Sequence, residues 1–167
     1  MPAGTVQKPS ASKNPSSAPG VVAAPVSGKL VDLENIPDET FAAGVLGQGV
    51  GIEPSAGVVT APFTGTVTTV ADSRHAIGLA SPDGMELLIH VGVNTVDMNG
   101  KGFAVKVKEG DTITIGQELM TFDRKAIAEA GHPDIVVVLL TNSEDYENLT
   151  ITPAGPVNVG TEIIRIS

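Results

Sequence analysis

The chain lacks several residue types on which common protein chemistries depend. It has no cysteine, no tryptophan and one tyrosine among 167 residues, and aromatic residues make up 3% of the sequence. Without cysteine, a disulfide framework, thiol catalysis and thiolate metal sites are excluded. With so few aromatic rings, stacking platforms for nucleic-acid bases or sugars are scarce. Any chemistry must therefore come from other side chains.

Positive charge and long apolar runs are also in short supply. Ten Lys and Arg residues against 19 Asp and Glu give a formal net charge of −9. Nucleic acids and anionic membranes attract basic surfaces, so we expect neither as a partner, whereas a partner with a basic docking face would suit this protein. No apolar run approaches the roughly 18 residues of a membrane span, and no signal peptide is visible. We expect a cytoplasmic protein that is not inserted into a membrane.

The first 20 residues differ in composition from the rest of the chain. They consist largely of Pro, Ser, Ala and Gly, with two lysines. A segment of this kind cannot bury a core, so residues 1–20 are predicted to be a disordered tail or linker, either a plain tail or a tether to another domain. Residues 21–167 are long enough for one domain with a sizeable core.

From Val21 onward, short β-branched runs alternate with turn residues every 6 to 12 positions or so. This spacing predicts an all-β fold, an antiparallel sandwich or barrel. One stretch, residues 124–130, has a good helical pattern and ends at Gly131, and residues 37–39 are predicted to open a second, shorter helical turn. The segment A-P-V-S-G-K-L at 24–30 recurs as A-P-F-T-G-T-V at 61–67. A second phrase, at 107–116, is loosely mirrored at 157–163, which indicates a pseudo-duplicated β fold.

Two of the three histidines flank a strong turn signal. His132 lies between Gly131 and Pro133 and is predicted to be a solvated loop residue, whereas His75 and His90 lie on either side of Ser-Pro-Asp-Gly at 81–84. A two-residue loop there would place His75 directly opposite His90, with Cβ atoms about 5 Å apart. A three-residue loop with a Gly bulge would shift the register by one and place them on opposite faces. We expect the paired geometry.

Two imidazoles on one sheet face have three interpretations. They could form a buried hydrogen-bonded pair, or they could bind zinc, which needs a third and usually a fourth ligand. The third histidine is remote in sequence and cysteine is absent, which disfavours a closed zinc site. The third interpretation is phosphoryl transfer, since a neutral imidazole is a good nucleophile and its charged product needs donors around it. A second imidazole supplies one donor, and the hydroxyls of Ser73, Thr95 or Thr141 could supply others without any cofactor.

Residues 84–96, G-M-E-L-L-I-H-V-G-V-N-T-V, resemble the signature of the glucose-type IIA family of the bacterial sugar phosphotransferase system. Shorter similarities extend over residues 21–167 and include both A-P-x-[ST]-G segments. The resemblance implies a β-sandwich with Greek-key character, phosphorylation of His90, and His75 as the residue that braces the phosphoryl group. It implies the phosphocarrier HPr as donor and the IIB domain of a sugar permease as acceptor. We expect a monomer without a cofactor, although a zinc ion bridging His75 and His90 with a partner would be compatible.

The family also suggests which residues surround the histidines. Contacts with the phosphoryl group or the partners are expected at Asp38, Phe41, Ser73, Gly92, Asn94, Thr95, Val96 and Thr141. Two of these have other interpretations, because Asp38 could be the N-terminal carboxylate of a short helical turn and Phe41 could belong to the core. Ala71 and Leu88 are smaller than the aromatic residues of familiar members, and Asn94 stands where aspartate is frequent. Regulatory contacts with glycerol kinase, transporters or adenylate cyclase are therefore not expected.

Two other protein classes share features of this sequence. Biotinyl and lipoyl carriers contain similar A-P-x-T-G and E-G-D segments, but they display a lysine at a hairpin tip, and no lysine here has that setting. Zinc endopeptidases of the lysostaphin type use an H-x-H pair, which is absent. The phosphohistidine carrier is thus the leading hypothesis, with a carrier domain or a zinc hydrolase as alternatives. Sugar specificity is expected to belong to the membrane permease, because no sugar-binding constellation is visible in this chain.

Overall fold

The structure, a computed structural model, describes residues 19–166. Most of the predicted tail, residues 1–18, lies outside the described residues, and its disorder stays a prediction. Pro19 and Gly20 form a turn. The Gly20 N–H donates to Asp83 Oδ2 at 2.6 Å, and its carbonyl accepts from the Ile166 N–H at 2.8 Å. The start of the described chain is therefore bound to a hairpin tip and to the last strand.

The described residues form 14 strands, two short α-helices and three 3₁₀ turns. Strands β1 to β14 are Val21–Ala23, Gly28–Asp32, Gln48–Pro54, Val58–Thr60, Gly65–Val70, Ala76–Ala80, Glu86–Val91, Phe103–Val105, Thr112–Ile113, Glu118–Phe122, Val136–Leu140, Leu149–Ile151, Gly155–Val157 and Glu162–Ile166. Helices α1 and α2 are Glu39–Ala42 and Arg124–Glu129, and the 3₁₀ turns are Leu33–Asn35, Thr95–Met98 and Ser143–Asp145. Both predicted helical segments are confirmed.

All strand pairs are antiparallel. One sheet has eight strands in the order β9-β5-β6-β7-β11-β3-β2-β13, and two small sheets have the orders β4-β10-β8 and β12-β14-β1. The predicted antiparallel all-β fold is confirmed. None of the helices within residues 19–166 is long and apolar enough to cross a membrane.

The predicted duplication is visible in the strand order, which is symmetric about the boundary between β7 and β11. The repeated Ala-Pro segments make equivalent hydrogen bonds. The Ala61 carbonyl accepts from the Gly116 N–H at 2.9 Å, and the Ala24 carbonyl accepts from the Gly160 N–H at 3.1 Å. The two phrases at 107–116 and 157–163 thus carry glycines with the same role in each half. A pseudo-two-fold axis passes between the two central strands.

Strand β11 is buried on both faces, which explains its uninterrupted apolar sequence. On one face, Val136, Val138 and Leu140 join the main core between the sheets. On the other face, Val137 and Leu139 belong to a second, smaller cluster, which consists of Ile36, Phe41, Val93, Ile135, Val137 and Leu139. The second cluster covers part of the outer face of the large sheet. It includes Phe41, which contacts His90.

The hairpin between β6 and β7 has a different register from the one predicted. Ala76, not His75, lies opposite His90, and the Ser81 N–H donates to the Met85 carbonyl at 3.0 Å. Gly84 has a φ of 96°, the left-handed conformation that closes a three-residue loop after a tight turn. The prediction of a two-residue loop is therefore wrong, because the glycine adds one residue to the turn.

Candidate functional site

His75 and His90 are in direct contact despite the shifted register. Their ring centroids are 4.7 Å apart and the rings are nearly perpendicular, at 81°. His75 lies just before β6 and follows Arg74, which has a φ of 60°. Side chains within a strand point alternately to the two faces of the sheet. His75 lies outside the strand, so its side chain need not follow this alternation. Its carbonyl accepts from the Val91 N–H at 2.7 Å, which holds the two histidine segments together.

The protonation of His90 follows from its hydrogen bond to Gly92. Nδ1 of His90 lies 2.8 Å from the Gly92 carbonyl oxygen. A carbonyl only accepts, so Nδ1 must carry the proton, and in the neutral ring Nε2 keeps a free electron pair. Burial, and secondarily the neighbouring His75, lower the pKa of His90 to about 4, although Gly92 and Asp38 act in the opposite direction. The ring is therefore neutral near pH 7 with Nε2 available.

His75 is more deeply buried than His90, at 7% exposure. Burial lowers the pKa of His75 as well, and the backbone of Ser73 partly offsets this. Nδ1 of His75 is buried, and no hydrogen bond of full geometry reaches it within residues 19–166. The Ser73 backbone is the acceptor that still interacts with this ring.

Phe41 also contacts His90. Its ring centroid is 5.0 Å from that of His90, in an edge-to-face arrangement. Helix α1 presents this ring because Asp38 caps its N-terminus, accepting from the N–H groups of Thr40 and Phe41 at 2.9 and 3.2 Å. The alternative interpretations of both residues are thus confirmed, since Asp38 is a cap and Phe41 belongs to the core. Their contacts with a partner stay predictions.

The segment after β7 shapes the other edge of the site. Gly92 has a φ of 81°, and a Cβ on it would lie 2.3 Å from Cγ2 of Thr95. Thr95 is fully buried and its hydroxyl donates to the Val91 carbonyl. Asn94 has a φ of 63° and an exposed side chain, and Val96 is 50% exposed. The site is therefore bordered by a buried hydroxyl and by two residues open to solvent.

The remaining predicted residues lie farther out. Ser73 is half-buried in the turn between β5 and β6, as is Ala71. The hydroxyl of Thr141 donates to the Glu86 carbonyl at 3.2 Å. Glu86 begins β7 and is four residues from His90, or about 13 Å along the strand, so Thr141 is not brought to the imidazole. Leu88 lies between these two positions and is half-buried.

One group that holds the site together was not predicted, the backbone of Val91. Its N–H and carbonyl connect the strand end to His75 and to Thr95. No sequence signal identifies such a residue, because every non-proline residue has the same backbone groups. His132 lies in the turn after α2, where its N–H donates to the Ile127 carbonyl at 3.1 Å.

A metal ion would find few ligands here. No group of three or more His, Cys, Asp or Glu side chains that could hold a metal occurs between residues 19 and 166. The histidine pair offers two imidazoles, whereas zinc usually has four ligands. A zinc ion at this pair would need ligands from another molecule, so the zinc bridge with a partner stays a prediction.

Comparison with known proteins agrees with this geometry. Residues 20–146 match the family model of the phosphoenolpyruvate-dependent sugar phosphotransferase system, EIIA 1. The chain belongs to this family. The resemblance noted in the sequence is thereby confirmed, and the biotinyl or lipoyl carrier and the zinc endopeptidase are not favoured.

Relatives of this EIIA 1 family member include both separate and fused proteins. A glucose-specific EIIA component of Halalkalibacterium halodurans is 38% identical over 156 residues, which cover 89% of this chain and 90% of the relative. A glucose-specific EIICBA component of Staphylococcus carnosus is 42% identical over 147 residues, 88% of this chain but 22% of the relative. The chain thus spans about a fifth of the fused relatives. The glucose permease IIA of Mycoplasma capricolum superimposes with a TM-score of 0.78 at 30% identity, covering 86% of this chain and 93% of that one.

Proposed function

We propose that this EIIA 1 family member is a phosphohistidine carrier with His90 as the phosphorylated residue. It accepts a phosphoryl group from the phosphocarrier HPr and passes it to a cysteine on the IIB domain of a sugar permease. The observation that carries the proposal is the hydrogen bond from His90 Nδ1 to the Gly92 carbonyl, at 2.8 Å. It leaves Nε2 as the single nucleophilic nitrogen of a neutral ring.

The transfer needs no external cofactor. The Nε2 electron pair of His90 attacks phosphorus, the new N–P bond forms, and the N–P bond of the donor's phosphohistidine breaks and returns its electron pair to the donor ring. In the second transfer a cysteine thiolate attacks the same phosphorus and the electron pair returns to Nε2. The proton stays on Nδ1 throughout and donates to the Gly92 carbonyl, whose oxygen stabilises the positive charge that the ring gains. Catalysis then consists of alignment and electrostatic stabilisation.

The depressed pKa of His90 favours this chemistry. With a pKa of about 4, the ring is unprotonated at the pH of the cytoplasm, so the nucleophile is available in nearly every molecule. His75 lies beside it at 4.7 Å between centroids and is the group placed to donate to a phosphoryl oxygen. In this proposal His75 supports the phosphoryl group and does not accept it.

The surroundings of His90 suit partners with an apolar patch and basic residues. Val96, in the 3₁₀ turn that follows Gly92, is 50% exposed. Asp38 is close enough to raise the pKa of His90, so a carboxylate borders the nucleophile. A phosphorylated donor brings negative charge, and positive charge on the same partner would offset its repulsion from Asp38. HPr and the IIB domain are the partners that we propose for this face, in the cytoplasm.

Several expected contacts enter the proposal with smaller roles. In this proposal Asn94, whose side chain is exposed, and Ser73, which is half-buried two residues before His75, contribute at the rim of the site. Thr141 lies at the far end of β7 and would contact a partner, not the phosphoryl group. The sugar is chosen by the permease. Relatives named as glucose-specific components support a glucose-type system for this chain.

Reconstitution of the relay tests the proposal. Purified protein is incubated with radiolabelled phosphoenolpyruvate, the general kinase of the system and HPr. We expect one acid-labile, base-stable phosphate per chain, and none on His90→Ala. His132→Ala is the matched control and should be labelled like the wild type. Equal labelling of His90→Ala would refute the assignment of the nucleophile.

The variant His75→Gln separates the two histidines. It should still be labelled through HPr, because Nε2 of His90 remains. Its onward transfer should be slow, because the donor beside the phosphoryl group is altered. Sugar phosphorylation at the wild-type rate by this variant would remove the supporting role of His75.

A further inference from the structure

Thr95 is the most deeply buried polar side chain near the histidines, with no exposed surface. A hydroxyl in such a place must be hydrogen-bonded, because burying it without a partner is costly. Its Oγ1 donates to the carbonyl of Val91, the residue after His90. The hydroxyl is therefore committed to the backbone and is not free to bind a phosphoryl oxygen.

The Val91 carbonyl belongs to a peptide group that is fixed at both ends. The peptide bond between Val91 and Gly92 is planar, so its carbonyl and its N–H move together. Thr95 holds the carbonyl, and the Gly92 N–H donates to the Ile135 carbonyl at 2.7 Å. The Thr95 hydroxyl is the one side-chain group among these contacts, because the Ile135 partner is backbone.

The methyl group of Thr95 acts on the same glycine. Its Cγ2 lies 2.3 Å from where a Gly92 Cβ would be, so it fills the space above that Cα. Gly92 is thus held from two directions in its left-handed conformation, with a φ of 81°. The orientation of the Gly92 carbonyl depends on this conformation, and that carbonyl is the acceptor for His90 Nδ1.

We propose that Thr95 is a positioning residue that, through the Val91–Gly92 peptide, aims the Gly92 carbonyl at Nδ1 of His90 and so selects the tautomer in which Nε2 is the nucleophile. The inference rests on the proposed function for its biological meaning. A neutral imidazole can carry its proton on either nitrogen, and the tautomer with the proton on Nε2 has no electron pair there. If the Gly92 carbonyl turned away, part of the population would become unreactive at Nε2.

The variants Thr95→Val and Thr95→Ser separate the hydroxyl from the methyl group. Valine keeps the shape and removes the hydroxyl, whereas serine keeps the hydroxyl. The first measurement is the ¹⁵N NMR spectrum of the imidazoles near pH 7, with His90 assigned by its absence in His90→Gln. We expect the wild type and Thr95→Ser to hold the proton on Nδ1, and Thr95→Val to give a mixture of tautomers.

The second measurement is the rate of phosphoryl transfer from phosphorylated HPr. We expect Thr95→Val to lose about tenfold in rate, which corresponds to one hydrogen bond of ordinary strength, with unchanged affinity for HPr. A direct role of the hydroxyl in binding the phosphoryl group predicts a slow transfer with an unaltered tautomer. That result, or a wild-type tautomer at a wild-type rate in Thr95→Val, would overturn the inference.

The two measurements also distinguish this inference from the proposed function. The tautomer is measured without any phosphorylation, so it can be tested even if HPr does not label the protein. Absence of labelling on the wild type would reject the relay and leave the tautomer result standing. If Thr95→Val does not fold, Thr95→Ser and Thr95→Ala decide instead. Both variants lack the methyl group, and only serine keeps the hydroxyl. A mixture of tautomers in Thr95→Ala but not in Thr95→Ser supports the positioning role of the hydroxyl, whereas identical spectra of the two variants contradict it.

Discussion

His90 and Leu139 occupy equivalent positions in the two halves of the large sheet. His90 lies opposite Val137 across the central strand pair, and Leu139 lies opposite Leu88 in the same pair, so the pseudo-two-fold axis exchanges the two residues. Leu139 is fully buried within the second cluster, whereas His90 is half-buried. One fold position thus holds a core residue in one half and the proposed phosphorylated residue in the other. The two halves differ in the connection that carries α1, residues 33–47 between β2 and β3, whose equivalent between β5 and β6 is the short turn 71–75.

Stability is expected to fall in mild acid because of the histidines. The folded-state pKa of His90, about 4, lies below the unfolded value of 6.5, so the unfolded chain binds more protons between these two values. The contribution of neutral His90 is fully present above pH 6.5 and is lost as the pH falls toward 4. Between pH 7 and pH 5 we expect up to about 2 kcal/mol less free energy of unfolding.

Urea unfolding at the two pH values measures this loss, and His90→Gln should show a clearly smaller one. His132→Gln is the matched control. An identical pH dependence in the wild type and His90→Gln would show that His90 is not the titrating group.

Gly92→Ala should damage both stability and transfer. The φ of 81° disfavours alanine, and its Cβ would lie 2.3 Å from Thr95 Cγ2 and 3.0 Å from the Pro133 carbonyl oxygen. Gly131 is a matched control, because its φ is 83° but nothing lies within 4 Å of the added Cβ. Gly131→Ala should cost about 1 kcal/mol for backbone strain, and Gly92→Ala clearly more. Chemical denaturation measures both, and equal losses would contradict a tight contact at Gly92.

Phe41→Leu should raise the pKa of His90 toward its ordinary value. The smaller side chain removes the edge-to-face contact and admits water to one side of the imidazole, which reduces the desolvation that lowers the pKa. An NMR titration of the His90 ring measures the change. Phe103→Leu is the control, since Phe103 is similarly buried, at 6% exposure against 7%, but lies in the main core. An equal change of the His90 pKa in both variants would indicate a general loosening of the fold and not the loss of the contact with Phe41.

The two roles of Asp38 can be separated by substitution. Asp38→Asn retains a side chain that can cap α1, so its free energy of unfolding should stay within a few tenths of a kcal/mol of the wild type. Asp38→Ala should lose about 1 kcal/mol. Both remove the charge, so both should weaken HPr binding equally at low salt and lose part of its salt dependence. Binding by Asp38→Asn that matched the wild type would limit Asp38 to its role as a cap.

Much of the fold could be predicted because its signals are local. Turn residues between β-branched runs predicted the strands, and the repeated Ala-Pro segments predicted the duplication. The contact of His75 with His90 was predicted through a register that is wrong. The real contact depends on Gly84, which lengthens the turn, and on Arg74, whose left-handed backbone releases His75 from the strand. A non-glycine residue in that conformation is chosen by its tertiary surroundings and leaves little trace in the sequence.

Side-chain direction was also beyond the sequence. The hydroxyl of Thr95 was expected at the phosphoryl group, but it points to the Val91 carbonyl. A threonine gives no sign of which acceptor its hydroxyl will find, because that depends on packing around a glycine turn. Thr141 likewise lies at the end of β7 that is remote from His90. Residue type alone could nominate hydroxyls for the site but could not place them.

The hydrogen bond from the Gly20 N–H to Asp83 affects where the domain can be joined to another protein. Asp83 is at the tip of the β6–β7 hairpin, and Ile166 is bound to the same Gly20, so both ends of the described chain leave from one pole. His90 lies at the other end of β7, a strand about 20 Å long. A linker attached at that pole leaves the histidine surface unobstructed. Relatives are named both as separate EIIA components and as fused EIICBA components, and a connection at this pole would suit either arrangement.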